Sequence, residues 1–319
     1  MTRSGAGRPR GRGRAVGRGS KRGRWLVEYA ALYPLFLLAR WLPRRLLVAL
    51  GRGTGRFAFE VLRVRRTVTL TNLRIALGGE IDPRQLRRLG ALVYANLGAT
   101  LMEFCKLYDS RPAQIRALVE IEGREHLDAC RLQGRGAILT TGHFGNWELL
   151  AASVSAYGYP VSYLIKDQSN PWVHRLQNEI RRRGGMGVIR LGTGARQVLY
   201  ALRRREFVGI IGDQDAGPEG LFLDFLGRQA SIARGMAYFA WRAGVPVIPC
   251  YILRLGNGRH RAVFGALIEA DPAWDEETAV RELTRAHTAS LEAVIRAHPE
   301  HYFWVHRRWK TRPPAARSD

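Results

Sequence analysis

Between residues 118 and 267, short and nearly continuous apolar runs alternate with longer stretches whose apolar residues recur every three or four positions. The runs 118–123, 136–142, 161–165, 187–191, 207–213 and 246–253 have the length and β-branched content of strands. The stretches 147–156, 171–183, 195–204 and 232–243 have the period of helices packed on a core. Strands that are apolar on both faces, separated by helices, predict an α/β fold with a mostly parallel central sheet flanked by helices. A further strand over 260–267 and a long helix over 276–297 close the domain. Residues 51–110 read as helices, one of which opens with Asp82 as N-cap and Pro83 at its first position.

Upstream of residue 51 the pattern changes. In the apolar segment 25–50 the longest uncharged run, Tyr29–Ala39, has eleven residues and contains Pro34. A spanning helix needs about 20. Glu28, Arg40, Arg44 and Arg45 interrupt anything longer. A signal peptide fits less well, because no small-x-small cleavage site follows. The segment reads as a membrane-associating helix at the interface, with Trp25, Tyr29, Tyr33 and Trp41 at headgroup depth and arginines on phosphates. The competing reading is an apolar helix packed on the domain. Residues 1–24 carry nine basic and no acidic residues among glycines, which cannot bury a core, so a disordered basic tail is expected. The chain thus divides into the tail 1–24, the helix 25–50, a domain over 51–312 and a second disordered tail over 313–319.

Charge narrows the choice of partner. The 319 residues hold 51 Lys+Arg against 27 Asp+Glu, a formal net charge of +24. Such an excess favours an anionic membrane surface, a nucleic acid or an acidic protein or substrate. The basic tail alone fits a nucleic acid or an anionic leaflet. The adjoining apolar helix favours the leaflet, and with no recognised nucleic-acid module no nucleic-acid partner is expected. Arg181, Arg182 and Arg183 end a predicted helix, and Arg182 is taken as a candidate anion contact. Cys105, Cys130 and Cys250 form no CxxC pair and read as buried thiols.

The candidate chemistry sits at two strand ends. Ligands of an open parallel sheet bind beyond the carboxyl ends of its strands. One strand runs into Gly142-His143-Phe144-Gly145-Asn146-Trp147-Glu148, another into Gly212-Asp213-Gln214-Asp215. The spacing His-x4-Glu also occurs at His174/Glu179 and His287/Glu292, both inside predicted helices, where five residues turn the side chains apart. His143 is different, because Gly142 and Gly145 bracket it at a strand end. A loop can turn it back over the helix turn that carries Glu148. A carboxylate on one ring nitrogen leaves the other free as a general base. The alternative is a structural histidine beside an N-terminal glutamate. The backbone N–H groups of Gly145 and Asn146, near a helix N-terminus, can hold an anion or a developing oxyanion. Asp213 and Asp215 read either as a DxD metal loop or as capping carboxylates.

Taken together, TTGHFGNWELL, IKDQSNP, GDQDAGPEGLFLDFLG, HYFWVHRRWK and the upstream RRTVTLTNLRIAL resemble the late, lauroyl/myristoyl acyltransferases of lipid A biosynthesis and their bacterial lipid acyltransferase relatives. The likeness runs over about residues 25–312. It implies a glycerolipid acyltransferase-like fold at the cytoplasmic face of the bacterial inner membrane. The implied reaction moves a fatty acyl chain from acyl carrier protein to a hydroxyl of a phosphorylated glycolipid, a lipid A precursor, with no cofactor and no metal. His143 and Glu148 match the family's His-x4-acid pair, and Asp213 and Asp215 its acidic loop. His306, Arg307 and Arg308 match its C-terminal HRR, which makes Arg307 a candidate substrate contact. Lys166 stands where many members carry arginine, which keeps the charge and loses the bidentate fork. Actinobacterial phosphatidylinositol mannoside acyltransferases share these motifs and use acyl-CoA. A metal-dependent DxD glycosyltransferase and a basic nucleic-acid-binding protein are the readings from other classes.

Overall fold

The computed structural model describes residues 16–78, 81–192, 194–256 and 258–313, with side chains from residue 21 onward. Its helices are α1 (Val16–Trp41), α2 (Arg44–Glu60), α3 (Arg66–Leu77), α4 (Pro83–Lys106), α5 (Pro112–Leu118), α6 (Arg124–Leu132), α7 (Trp147–Ala156), α8 (Pro171–Arg183), α9 (Ala195–Arg203), α10 (Gly235–Ala243) and α11 (Glu276–Ala297). Its strands are β1 (Val119–Glu122), β2 (Ala137–Thr141), β3 (Val161–Ile165), β4 (Gly187–Arg190), β5 (Phe207–Ile211), β6 (Leu221–Phe225), β7 (Arg228–Ile232), β8 (Val247–Arg254) and β9 (His260–Phe264).

Seven strands form one sheet in the order β1-β9-β8-β2-β5-β3-β4. Every adjacent pair is parallel except β8–β9, so the expected mostly parallel sheet is present. Alternate residues of the central strands enter different cores, as the two-residue period requires. Ala137 and Leu139 of β2 pack with α7, whereas Ile138 joins Val208, Ile210 and residues of α9, α10 and α11. Helices therefore cover both faces. The hairpin β6–β7 stands apart from the sheet and was not visible in the apolar pattern. Its two-residue turn, Leu226-Gly227, has φ of 53° and 81° at its two positions. Hairpin turns of that hand usually announce themselves as Asn-Gly or Asp-Gly. Here a buried leucine takes the first position, and Glu292 accepts its backbone N–H at 2.9 Å.

The N-terminal region departs from its expected boundaries. Residues 1–15 and 314–319 lie outside the described residues, but α1 begins at Val16, inside the basic segment assigned to the tail 1–24. The segment 25–50 is two helices rather than one, because Pro43 precedes α2 and cannot continue the hydrogen-bond ladder of α1. The packed reading holds for one face of the segment. Phe36, Ala39 and Leu47 are buried, and Lys106 Nζ donates to the carbonyls of Arg40 and Leu42 at 2.8 and 3.1 Å, closing the end of α1. Leu26, Val27, Leu46, Phe57 and Trp41, the last 86% exposed, lie on the outer side. Among the described residues no helix is long and apolar enough to cross a membrane.

α2 lies against α4 at backbone contact, through glycines. A Cβ on Gly98 would stand 2.0 Å from the carbonyl oxygen of Gly51, and one on Gly55 would stand 1.9 Å from that of Tyr94. Neither neighbour is a flexible side chain, so the helices themselves must separate. Gly98→Ala is expected to lower unfolding free energy by about 1–3 kcal/mol in a denaturant titration. Gly53→Ala, on the exposed face of α2 with nothing within 4 Å of the added carbon, is expected to be neutral or to stabilise by up to about 1 kcal/mol. Equal effects of the two would contradict this account of the packing.

Candidate active site

Register builds the site. β2 and β5 are parallel neighbours paired with a constant offset, from Ala137 opposite Phe207 to Thr141 opposite Ile211. Two residues beyond each strand stand His143 and Asp213, at the same edge of the sheet. The Asp213 carboxylate holds His143 twice. Oδ2 accepts the backbone N–H at 2.9 Å, and Oδ1 accepts the ring Nδ1–H at 2.7 Å. Asp213 is 2% exposed at its side chain and His143 24%, so the acid is sealed behind the ring and the ring faces outward. Gly142 suits this closeness, since a Cβ there would press the end of the Leu291 side chain at 2.9 Å and lie 3.2 Å from Asp213 Oδ2.

The C-terminal segment clamps the loop. Phe303 N–H donates to the carbonyl of His143 at 2.9 Å, and Gly145 N–H donates to the carbonyl of His301 at 2.8 Å. Gly145 has φ of +59°, and a Cβ there would strike the carbonyl oxygen of Ile252 at 1.9 Å. The imidazole packs beside two aromatic rings that also touch each other, edge-on to Trp147 with centroids 5.1 Å apart and tilted to Phe303 at 5.7 Å. Burial alone would push the His143 pKa down. The Asp213 charge and hydrogen bond, with the Glu148 charge, outweigh it and set the pKa above the ordinary histidine value. Burial likewise works against ionised Asp213, but His143, with Arg308 further off, keeps its pKa below the ordinary carboxylate value.

Several sequence-based expectations change. Glu148 is not the acid bonded to His143. It lies in the first turn of α7 and is paired with Arg181 of α8 at 2.5 and 3.1 Å, because the loop 142–146 is fixed to the C-terminal segment and is not free to fold over α7. The Gly145 N–H is committed to His301 and is no oxyanion donor. Asn146 is buried and is the N-cap of α7, its Oδ1 accepting from Leu149 N–H at 3.0 Å and its Nδ2 donating to Glu103 at 2.8 Å. Asp213 and Asp215 bind different segments, Asp213 the His143 loop and Asp215 the C-terminal segment. Asp215 binds Thr311, accepting the backbone N–H at 3.1 Å and the hydroxyl at 2.8 Å. Of the arginine run, Arg182 is exposed and paired with Glu179, while Arg181 enters the site. In the HRR motif Arg307 is exposed, whereas Arg308 is buried, donates to the carbonyl of Ser231 at 2.8 Å and lies over the Phe225 ring. Lys166 is exposed just beyond β3, at the same edge of the sheet as His143.

Other expectations hold. His174 contacts Asn178 and Asp167 rather than Glu179, and His287 faces Thr140 while Glu292 caps the β6–β7 turn, so neither helical pair is a dyad. The three cysteines are free and buried. One group among the described residues, His298, Glu300 and His301, has metal-like spacing. His301 Nε2 accepts from Arg254 N–H at 3.3 Å, which puts the ring proton on Nδ1, 2.9 Å from Glu300 Oε1.

Sequence reasoning missed a polar layer behind the loop. Glu103 of α4 is 1% exposed and receives Arg44 at 2.6 Å, Arg254 at 2.7 Å and Asn146 at 2.8 Å. Burial opposes its ionisation, yet the Arg254 and Arg44 charges hold its pKa at about 2. The nearby His260, buried beside Glu103, Arg254 and Arg44, is pushed down to about 3 and is neutral. The signal available beforehand was three polar residues, Asn96, Thr100 and Glu103, on the otherwise apolar face of one helix.

A model of the family described as bacterial lipid A biosynthesis acyltransferase matches residues 19–311. The lipid A biosynthesis lauroyltransferase of Escherichia coli (strain K12) is 26% identical over 293 residues, covering 91% of this chain and 93% of that protein. The phosphatidylinositol mannoside acyltransferase of Mycobacterium tuberculosis is 27% identical over 197 residues, 59% of each chain. Among solved structures, the 1-acyl-sn-glycerophosphate acyltransferase PlsC of Thermotoga maritima aligns with a TM-score of 0.35 at 15% identity, covering 72% of this chain and 97% of that one.

Proposed function

The chain belongs to the bacterial lipid A biosynthesis acyltransferase family and is an acyltransferase, and from that premise we propose that it moves a fatty acyl chain from acyl carrier protein to a hydroxyl of a lipid A precursor, with His143 as the general base. The observation that carries this reading is the imidazole locked by Asp213 through Nδ1–H, which leaves Nε2 as the proton acceptor on a side chain that is 24% exposed. Nε2 takes the proton of the acceptor hydroxyl as its oxygen attacks the thioester carbonyl. The tetrahedral intermediate collapses, the C–S bond breaks, and the imidazolium returns its proton to the departing thiolate. No acyl-enzyme is needed, since no serine or cysteine stands beside His143 in the sequence. Glu148, held by Arg181, adds a second negative charge that favours the imidazolium. Lys166, at the same edge, supplies a cation for an acceptor phosphate or for the oxyanion.

In this proposal the reaction runs at the cytoplasmic face of the inner membrane. Support comes from the exposed apolar side chains of α1 and α2, interspersed with arginines, beside a chain of net charge +24. A second reading, acyl transfer from acyl-CoA to a mannose hydroxyl of a phosphatidylinositol mannoside, is favoured by the similarity to the mycobacterial enzyme. Purified protein offered acyl carrier protein or coenzyme A thioesters, with a lipid A precursor or a phosphatidylinositol mannoside as acceptor, separates them. Mass spectrometry of the products is expected to show acylated lipid A precursor formed from the carrier-protein thioester. Acylated mannoside formed from the coenzyme A thioester alone would replace the first reading with the second.

A further inference from the structure

Three side chains on one buried face of α4, at positions i, i+4 and i+7, reach the two segments that frame the imidazole. Asn96 Nδ2 donates to the carbonyl of Glu300 at 3.0 Å. Thr100 Oγ1 donates to the carbonyl of Gly145 at 3.3 Å. Glu103 Oε2 accepts from Asn146 Nδ2 at 2.8 Å. Asn146 in turn caps α7 through Leu149 N–H, and α7 carries both Trp147, edge-on to the His143 ring, and Glu148. None of the three is bonded to His143. An ionised carboxylate in a core is costly even when paired, and an apolar side chain of like volume is often as stable. This one is spent on the residue that begins α7, three positions after His143. We propose that Glu103 is a positioning residue for acyl transfer, fixing the His143 loop through Asn146, with Thr100 as a second brace and Arg44 and Arg254 as its counter-charges. The proposal rests on the reading of His143 as the base.

A double-mutant cycle tests it. Asn146→Ser keeps an N-cap oxygen and removes the amide that reaches Glu103. Glu103→Gln keeps the shape and removes the charge. Each is expected to lower kcat about tenfold to a hundredfold through displacement of the base, with KM changed by less than about threefold. The double variant is expected to be no slower than the slower single variant, because Asn146→Ser removes and Glu103→Gln weakens the same link. Effects that multiply in the double variant, or wild-type kcat in either single one, would overturn the proposal. Should Glu103→Gln fail to fold, Asn146→Ser and Thr100→Val decide the matter by the same kcat and KM readout. Unchanged kcat in both would overturn it. His143→Asn run in parallel separates the two levels. Wild-type turnover there removes the base assignment itself, whereas an inactive His143→Asn beside unimpaired Asn146→Ser and Glu103→Gln removes only the positioning role.

Discussion

His143→Asn lowers acyl-transfer turnover by about 10²- to 10⁴-fold and leaves the unfolding temperature near that of the wild type, the loss expected when a general base is removed. Asparagine is the informative choice. Its amide N–H stands close to where Nδ1–H stood, so the buried Asp213 carboxylate keeps both a side-chain donor and the backbone N–H of residue 143. Alanine would leave that carboxylate short of a partner and confuse a folding defect with a catalytic one. The rest of the loop does not depend on the ring. Phe144 is fully buried, and the backbone bonds to His301 and Phe303 remain. Single-turnover acyl transfer beside a thermal melt reads both halves of the prediction. Turnover near the wild-type rate in a folded variant would remove His143 from the chemistry.

Much of the frame was written in local patterns. The helix 276–297 and the strand 161–165 have their expected limits, and Asp82 caps α4 through Gln85 N–H with Pro83 at the first helical position. These features depend on period, capping and turn chemistry over a few residues. The antiparallel pairing of β8 and β9 and the detached hairpin depend on contacts between distant segments, which periodicity does not encode.

The acid partner of His143 belongs to the second kind. A motif written as His-x4-Glu draws the eye to a neighbour in sequence, but the bonded carboxylate is 70 residues away. Once β2 and β5 are taken as adjacent and parallel, the equal distance of His143 and Asp213 from their strand ends makes the pairing a consequence of register. Glu148 lies in α7, and its geometry answers to α8, where Arg181 waits. The same holds for the arginine motifs, since which member of Arg181–Arg183 or of Arg307–Arg308 turns inward depends on what the helix or loop packs against.

Asp213→Asn is expected to cost nearly as much as loss of the base, about 10²- to 10⁴-fold in kcat, by a different route. The aspartate accepts two hydrogen bonds from residue 143, one from the backbone N–H and one from Nδ1–H. Asparagine has one oxygen and one NH2 group. With the oxygen retained by the backbone N–H, the NH2 group faces Nδ1 and requires a lone pair there. The neutral imidazole then carries its proton on Nε2, the nitrogen that must take one from the acceptor hydroxyl. The pH profile of the remaining activity distinguishes this from simple loss of structure. Burial pulls the His143 pKa down and the Asp213 charge reverses that pull, so the acidic limb of kcat/KM lies above the ordinary histidine value of 6.5 in the wild type. With the charge gone and the burial kept, the limb moves to lower pH, because less acid is needed to keep the base neutral. A limb that stays in place or moves upward would show that Asp213 does not set the protonation of His143.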